Sequence, residues 1–302
     1  MTLTSVETLQ AQFALPGLAH VSTGNGGQTC IRITAPAATG EIYLHGAHIA
    51  AWRPTGAAHV IFMSSHAQWG EHDAIRGGIP VCGPWFRAKD DDPKAPKHGP
   101  VRIKPWNLEA LEAIGDGARV TLATRNDDEG RQWWPYDFTM RLRATFGASL
   151  HIELDYTNQA SESVPVAEAL HTYLAVGDVR QVTLDGLDGV RYRDNLDNNR
   201  EKRHEGTFHF TKETDNAFLD TTNDVLLTDP VLKRRIRISK SGSNSTVVWN
   251  PSVEGARKIP DLGDDDWPHF ACVEASNVMD CALTIAPGQT HTLGTTISLE
   301  SL

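Results

Sequence analysis

The stretch FTMRLRATFGASLHIELDY, residues 138–156, decides the fold class of this chain. Apolar residues alternate with threonine and arginine from Phe138 to Phe146, and the alternation resumes at Leu150 after a short turn. A period of two is typical of a β-strand with one buried face, and a short turn between two such runs joins antiparallel neighbours. The stretch therefore predicts a half-buried β-hairpin.

Comparable short runs recur along the chain and are separated by Gly, Pro, Asn and Asp. They cover residues 119–124, 181–184, 233–239, 246–249, 270–275 and 290–299, and strand-like alternation begins at about Thr29. No long amphipathic helical pattern interrupts them, which disfavours a parallel dinucleotide-binding fold. The sequence predicts an all-β, antiparallel sandwich or barrel.

We expect one domain over residues 1–302, with a short helix and lead-in at residues 1–28 and the β-structure at residues 29–302. Thr4 and Glu7 have the spacing of a capping box, and Pro16 would follow the helix end. The apolar face of this helix would consist of Val6, Leu9 and Phe13.

Composition excludes several classes of function. The chain has 38 acidic and 28 basic residues and a net charge of -10, whereas a nucleic-acid surface needs a dense basic footprint. The N-terminal segment has no basic region followed by a long apolar run, and no later stretch reaches membrane-spanning length. We therefore expect a cytoplasmic protein that binds neither nucleic acid nor membrane. A monomer is expected as well. The four cysteines lie far apart without a CxxC pair, which favours reduced, buried thiols.

Two segments carry potential metal ligands, and neither has the pattern of a known site. His45 and His48 have three-residue spacing, but a strand-like setting with Gly46 spoils a helical ligand pair. Residues 261–266 contain four aspartates without the spacing of a calcium loop. A structural histidine pair and a solvated loop are the favoured interpretations.

Residues 76–102, RGGIPVCGPWFRAKDDDPKAPKHGPVR, gather positive charge in an acidic protein. Arg76, Arg87 and Arg102 could bind phosphate or carboxylate bidentately, which suggests an anionic small molecule. The alternative is that these arginines are surface charges and the glycines are ordinary turns.

His171, Asp215 and Glu274 are the candidate chemical groups outside that segment. Glu274 lies in an apolar run, so it faces either inward or the solvent, and the pattern favours neither. For His171 alone a structural role is favoured, and for Asp215 an Asx turn or cap. If His171 and Glu274 share a pocket, they form an imidazole and carboxylate pair suited to proton transfer near neutral pH.

Six stretches keep a common order along the chain: RGGIPVCGPWF (76–86), KHGPVR (97–102), EALHTYLAVGD (168–178), ETDNAF (213–218), VVWNP (247–251) and CVEASNV (272–278). Read together, they resemble the hexose-6-phosphate mutarotases, the glucose-6-phosphate 1-epimerase branch of the aldose 1-epimerase superfamily. The resemblance implies a large antiparallel β-supersandwich of the galactose mutarotase type, without a metal or organic cofactor. It also implies interconversion of the α and β anomers of a hexose 6-phosphate, with glucose 6-phosphate as the expected substrate.

The resemblance implies roles for individual residues as well. His171 would be the general acid and Glu274 the general base of ring opening. Asp215 and His98 would contact the sugar. Arg76 and Arg102 would hold the phosphate.

The chain departs from the family pattern around the expected phosphate site. Pro100 stands in HGPVR where relatives commonly read HGFAR, so the loop is expected to differ in shape. Lys97 replaces a polar glutamine and would either add a cation to the phosphate site or remain exposed. Arg87 stands where relatives commonly have glycine, and we expect it at the surface. The charged run 89–97, with its aspartates 90–92, is also unlike the relatives.

Two alternative functions stay open at this stage. A non-catalytic carbohydrate-binding or metabolite-sensing sandwich would need the cleft without the proton-transfer pair. An aldose 1-epimerase for unphosphorylated sugar would need no arginine cluster.

Overall fold

A computed structural model describes residues 4–89 and 91–302. In these residues the chain forms three α-helices, six short 3-10 helices and 23 strands. The α-helices are α1 Val6–Phe13, α2 Asp128–Arg131 and α3 Ser252–Ala256, and the 3-10 helices are Asn25–Gly27, Pro100–Ile103, Val179–Gln181, Asn195–Asp197, Trp267–His269 and Met279–Cys281. The strands are β1 Ala19–Thr23, β2 Thr29–Ala35, β3 Ala38–Tyr43, β4 His48–Pro54, β5 Val81–Cys82, β6 Asn107–Ile114, β7 Gly117–Arg125, β8 Phe138–Phe146, β9 Leu150–Asn158, β10 Val164–Val166, β11 Glu168–Leu170, β12 Tyr173–Ala175, β13 Thr183–Asp185, β14 Arg191–Asp194, β15 Arg200–Arg203, β16 Phe208–His209, β17 Thr214–Leu219, β18 Val225–Asp229, β19 Arg234–Ser241, β20 Ser245–Asn250, β21 Phe270–Asn277, β22 Leu283–Ile285 and β23 Thr290–Ser301.

The strands form antiparallel sheets, which confirms the predicted all-β class. A nine-stranded sheet has the order β16-β13-β18-β19-β23-β9-β8-β7-β6, and an eight-stranded sheet has the order β15-β14-β17-β20-β21-β11-β5 with β12 also paired to β21. Four strands, β1 to β4, make a third sheet, and β10 pairs with β22. All three larger sheets contribute side chains to one buried core, among them Ile33, Phe146 and Val273.

The predicted hairpin is β8 and β9, in the register that joins Phe146 to Leu150. Every second side chain of β8, from Phe138 to Phe146, is buried, while Arg143 on the other face pairs with Asp155. Burying a Phe, Met or Leu side chain contributes roughly 1.5–3 kcal/mol. The alternating apolar positions therefore decide which face of the hairpin packs against the core. The hairpin prediction is confirmed.

The N-terminal helix was predicted correctly, but its cap was not. The helix begins at Val6, so Ser5 is the N-cap and its hydroxyl accepts a hydrogen bond from the backbone N–H of Thr8 at 3.3 Å. The N-cap side chain must reach the third helical residue, and Thr4 lies one position too early to do so. Leu9 is buried, as predicted for the apolar face.

The strands also begin earlier than the predicted Thr29. Strand β1, at Ala19–Thr23, pairs with β2 within the segment expected to be a lead-in. Only Ala19 and Val21 of this strand are buried, so its local pattern is weak. Backbone hydrogen bonds to the edge of β2 hold β1 in the extended conformation of a strand.

The four cysteines are buried free thiols, as predicted. In residues 4–89 and 91–302, no helix is long and apolar enough to cross a membrane. The cytoplasmic location and the monomeric state stay predictions.

Candidate functional site

A cavity of about 350 Å³ opens beside the eight-stranded sheet. Its lining combines cations, carboxylates, imidazoles and apolar groups, and most of these come from loops and strands of this sheet. The lining residues are Arg76, Phe86, Arg87, Ala88, Lys97, His98, His171, Asn195, Asp215, Val247, Trp249, Ile259 and Glu274.

Strand register explains why polar side chains meet in this cavity. Asp215 lies opposite Trp249 in the β17–β20 pair, and Val247 lies opposite Glu274 in the β20–β21 pair. Residues directly opposite each other share one face of a sheet, and so do residues two apart on one strand. Asp215, Trp249, Val247 and Glu274 therefore project from the same face. The sequence left the direction of Glu274 undecided, and the register places it in the cavity wall.

His171 reaches Glu274 by the same register. Strands β11 and β12 pair with β21 through Leu170 opposite Ala275 and Tyr173 opposite Cys272, so His171 falls opposite Glu274. The His171 Nδ1 atom is 3.3 Å from a carboxylate oxygen of Glu274, although the angle is not that of a hydrogen bond. The predicted imidazole and carboxylate pair is thus brought together.

Aromatic rings hold the imidazole of His171 in place. The Tyr173 ring stacks on it with centroids 4.9 Å apart and planes 13° apart. The rings of Trp249 and His98 meet it edge-on, each at 5.9 Å. The imidazole is therefore oriented by packing, while its Nδ1 stays directed toward Glu274.

The environment shifts the pKa of each partner toward the neutral form. Burial lowers the pKa of His171 well below its usual range, and the charges of Arg102 and Arg76 lower it further. Burial raises the pKa of Glu274 well above its usual range, and the nearby Asp215 adds to the shift. Both directions favour a neutral imidazole and a protonated carboxyl group, so that the one proton of the pair lies on Glu274.

His98 belongs to the same site as a neutral hydrogen-bonding group. Its Nδ1 accepts from the backbone N–H of Arg87 at 3.2 Å, which leaves Nε2 as the donor in the neutral ring. Burial lowers the pKa of His98 well below its usual range, with Arg102 as the next cause. Gly99 follows in the left-handed region, where a Cβ would lie 1.8 Å from the carbonyl oxygen of Gly83, so only glycine fits this turn.

Pro100 lies where the loop was expected to differ in shape from that of relatives, and this difference stays a prediction. It occupies the first position of the 3-10 helix Pro100–Ile103, where its backbone φ is suitable and a missing N–H costs little.

Arg76 and Lys97 supply positive charge to the cavity. The Nε of Arg76 donates to Asp261 at 3.1 Å, and its Nη1 donates to the Tyr173 hydroxyl at 3.1 Å. Its Nη2 has no hydrogen-bond partner in the described residues, so it can donate to a ligand. Lys97 is exposed at the cavity wall and forms no ion pair within residues 4–89 and 91–302.

Arg102 lies behind the cavity rather than in its wall. It is only 7% exposed, and its Nε has no hydrogen-bond partner among the described residues. It acts on the site through its charge, which lowers the pKa of both His98 and His171. Direct contact of Arg102 with a phosphate stays a prediction.

Arg87 was predicted to lie at the surface, and this is wrong. Its Nη2 donates to the Oδ1 of Asp215 at 2.6 Å, and the two side chains are 16% and 19% exposed. Asp215, for which a turn or cap was favoured, lies on β17 and also accepts from the Asn195 side chain at 2.6 Å. A carboxylate in the cavity wall needs such partners, so the pairing overrides both local interpretations.

No role in this site was assigned from the sequence to Asn195, Trp249 or Asp261. Asn195 comes from the turn between β14 and β15, and Asp261 reaches the site through Arg76. Of the unfamiliar segment 89–97, only Lys97 lines the cavity, and Asp90 lies outside the described residues.

Metal ligands do not cluster in the part of the chain that the structure describes. No group of three or more His, Cys, Asp or Glu side chains there could hold a metal ion. His45 instead contacts the carbonyl oxygen of Asp73 at 2.7 Å, and Asp266 accepts hydrogen bonds from the Ser64 hydroxyl and two backbone N–H groups.

Comparisons with known proteins find similarity to proteins named as epimerases or mutarotases. The family model described as aldose 1-epimerase matches residues 29–298. A curated protein of Escherichia coli K12, provisionally named glucose-6-phosphate 1-epimerase, is 31% identical over 247 residues, or 82% of each chain. A protein of Cenchrus ciliaris with the same provisional name is 29% identical over 293 residues, covering 92% of this chain and 86% of that one. The crystal structure of a provisionally assigned mutarotase from Salmonella typhimurium has a TM-score of 0.89 at 27% identity, with 96% of each chain covered.

Proposed function

The chain belongs to the aldose 1-epimerase family, and we propose that it interconverts the α and β anomers of a hexose 6-phosphate, with glucose 6-phosphate as the substrate. Family membership makes it an isomerase of the epimerase type. The observation that carries the finer proposal is the pair of His171 and Glu274, 3.3 Å apart in a cavity lined by three cations.

The reaction needs one group that accepts a proton and one that donates a proton. Glu274 takes the proton from the anomeric O1 hydroxyl while His171 donates a proton to the ring oxygen O5, and the C1–O5 bond breaks. Rotation about C1–C2 presents the other face of the aldehyde, and reversal of both transfers closes the ring as the opposite anomer. Both groups must work in either direction, which an imidazole and a carboxyl group can do.

The proton must lie on His171 when ring opening begins. In the free site the pKa directions of the two groups favour a proton on Glu274. For His171, burial lowers the pKa and the charges of Arg102 and Arg76 add to this effect. For Glu274, burial and the charge of Asp215 raise the pKa against the charges of Arg87 and Arg102. A phosphate dianion bound among these cations offsets their charge and favours the imidazolium. Once the 3.3 Å contact between His171 and Glu274 closes into a hydrogen bond, transfer of the proton from Glu274 to His171 produces the reactive arrangement.

The phosphate gives the enzyme a handle remote from the reacting carbon. Arg76 and Lys97 offer donors to it, and Arg102 adds positive charge from behind the cavity. Holding this handle places O1 and O5 near their catalysts, so that binding energy is used for orientation. His98 and Asp215 supply hydrogen bonds to the sugar hydroxyls.

Exchange spectroscopy by NMR on glucose 6-phosphate, galactose 6-phosphate and glucose tests the proposal directly. We expect the protein to accelerate anomer exchange for a hexose 6-phosphate far more than for glucose. Acceleration of glucose alone would favour an epimerase of unphosphorylated sugar. Unchanged exchange of all three sugars would favour a carbohydrate-binding protein.

Replacing Arg76 is expected to weaken the use of the phosphorylated sugar more than the chemistry. Arg76→Ala removes a charge-assisted donor, which should lower kcat/KM for glucose 6-phosphate by about 10- to 100-fold and affect kcat at saturation less. Steady-state anomer exchange on glucose 6-phosphate and glucose measures this.

Arg76→Lys is the matched control, since it keeps the charge. It should retain more of the preference for the phosphorylated sugar. Wild-type rates of Arg76→Ala with both sugars would remove Arg76 from the phosphate site.

A further inference from the structure

Arg87 and Asp215 form an ion pair in the lining of the cavity. We propose that Arg87 makes the site selective for sugars with an anionic group: it holds Asp215 in the free protein and releases it when the phosphate takes its guanidinium. Asp215 is then free to accept hydrogen bonds from sugar hydroxyls. This inference rests on the proposed function.

Both carboxylate oxygens of Asp215 have partners in the free site. Oδ1 accepts from Arg87 Nη2 and Oδ2 accepts from Asn195 Nδ2, each at 2.6 Å. Each oxygen has a second lone pair, but a sugar hydroxyl that shares the carboxylate with the guanidinium gains less, because the Arg87 charge already neutralises it. The Asn195 contact is neutral and local to the cavity wall, whereas the Arg87 contact is an ion pair that a second anion can exchange.

The backbone at Arg87 is held in a conformation that arginine seldom adopts. Its φ is 67°, in the left-handed region where an L side chain is strained. Two hydrogen bonds with His98 secure it: the Arg87 N–H donates to His98 Nδ1 at 3.2 Å, and the His98 N–H donates to the Arg87 carbonyl oxygen at 2.8 Å. Strain of this kind persists where the surroundings enforce it, commonly at binding sites. Here it directs the guanidinium into the cavity, 5.8 Å from the Phe86 ring centroid.

A phosphate is a better partner than Asp215 for this guanidinium. It carries nearly two negative charges and three acceptor oxygens, so it can bind the planar fork of Arg87 bidentately. Asp215 receives only one hydrogen bond from Arg87, and Arg87 Nη1 is directed to Asn199 at 3.0 Å. A neutral sugar has no charge that attracts Arg87 away from Asp215. Binding of a neutral sugar is therefore weakened by the free energy needed to break the ion pair.

The other cations of the site do not duplicate this role. Arg76 is paired with Asp261, and Lys97 lies exposed at the cavity wall, so neither masks a carboxylate in the cavity lining. Arg87 alone among the lining cations is paired with a lining carboxylate in the described part of the chain. Its removal therefore has opposite consequences for charged and uncharged sugars.

Arg87→Gly is the decisive variant, because glycine adopts a φ of 67° without strain and the loop is expected to fold. Anomer exchange is measured on glucose 6-phosphate and on glucose, with thermal denaturation as the folding check. For glucose 6-phosphate, kcat/KM is expected to fall by about 10- to 100-fold. For glucose it is expected to rise by up to about fivefold, since Asp215 no longer has to be released.

Two further variants keep the result interpretable. Arg87→Gln retains most of the side-chain length without the charge. As in Arg87→Gly, kcat/KM should fall for glucose 6-phosphate and rise for glucose. Arg141→Ala removes an arginine that pairs with Glu109 on the nine-stranded sheet, and it should match the wild type with both sugars.

The outcomes separate this inference from the proposed function. Suppose that the wild type accelerates glucose 6-phosphate exchange and that Arg87→Gly lowers kcat/KM equally for both sugars or changes it for neither. Only the role of Arg87 is then overturned. A fall for glucose 6-phosphate with unchanged glucose leaves a simple phosphate contact and overturns the release of Asp215. If the wild type accelerates no hexose 6-phosphate, the proposed substrate class and this inference fail together.

Discussion

Glu274→Gln is expected to lower catalysed anomer exchange of glucose 6-phosphate by about 10²- to 10⁴-fold, the usual contribution of a positioned acid or base. Glutamine has nearly the same shape but cannot take the O1 proton. Glu274 is fully buried, and neither of its carboxylate oxygens has a hydrogen-bond partner in the described residues, so the substitution strands no protein donor. Exchange spectroscopy at saturating substrate measures the effect on kcat.

Thermal denaturation over a range of pH provides the folding control for Glu274→Gln. Because the folded-state pKa of Glu274 is raised above 4.5, its stabilising contribution is present below that value and is lost as pH rises through the folded-state pKa. Glutamine has no such titration. The Tm of the variant relative to wild type should therefore increase with pH. Near-normal exchange in a folded variant would remove Glu274 from the mechanism.

His171→Asn is expected to cause a loss of similar size, about 10²- to 10⁴-fold in kcat, because asparagine neither gains nor donates a proton in the required range. The phosphate-binding cations are unaffected, so KM should change much less than kcat. A parallel rise in KM with an unchanged kcat would indicate a binding role instead.

Packing around residue 171 must be checked in the same variant. The imidazole is stacked on Tyr173 and touches Trp249 edge-on, so its loss leaves space in the aromatic cluster. Near-ultraviolet circular dichroism, which is sensitive to the surroundings of aromatic side chains such as Trp249, reports whether the neighbouring rings move. Lost activity with an unchanged aromatic signal is the result we expect.

Local sequence pattern predicted the strands better than the contacts between them. The alternation from Phe138 to Phe146 is confirmed in β8, because period-two burial is a property of a single strand. Strand β1 was missed, since only Ala19 and Val21 in it are buried and its pairing with β2 decides its conformation.

In the candidate site too, local sequence pattern did not predict the contacts between distant residues. Glu274 could not be directed inward or outward from its own strand, and only the register of β20 against β21 decides its face. Arg87 was expected at the surface because relatives commonly have glycine at this position, so that no family role carries over to it. Its partner Asp215 lies 128 residues away on β17, where no local pattern connects the two.

By itself, the sequence determined that the protein is all-β and antiparallel, and the order of its motifs indicated an epimerase of the aldose 1-epimerase family. The fold class follows from periodicity and residue type, which are local, whereas the family follows from the resemblance of the motifs to those of known relatives. Only the tertiary structure decided that His171 faces Glu274, that Arg87 holds Asp215 and that Arg102 lies behind the cavity. The physical reason is that strand register and burial depend on residues far apart in the chain, and these two properties decide which polar groups share an environment.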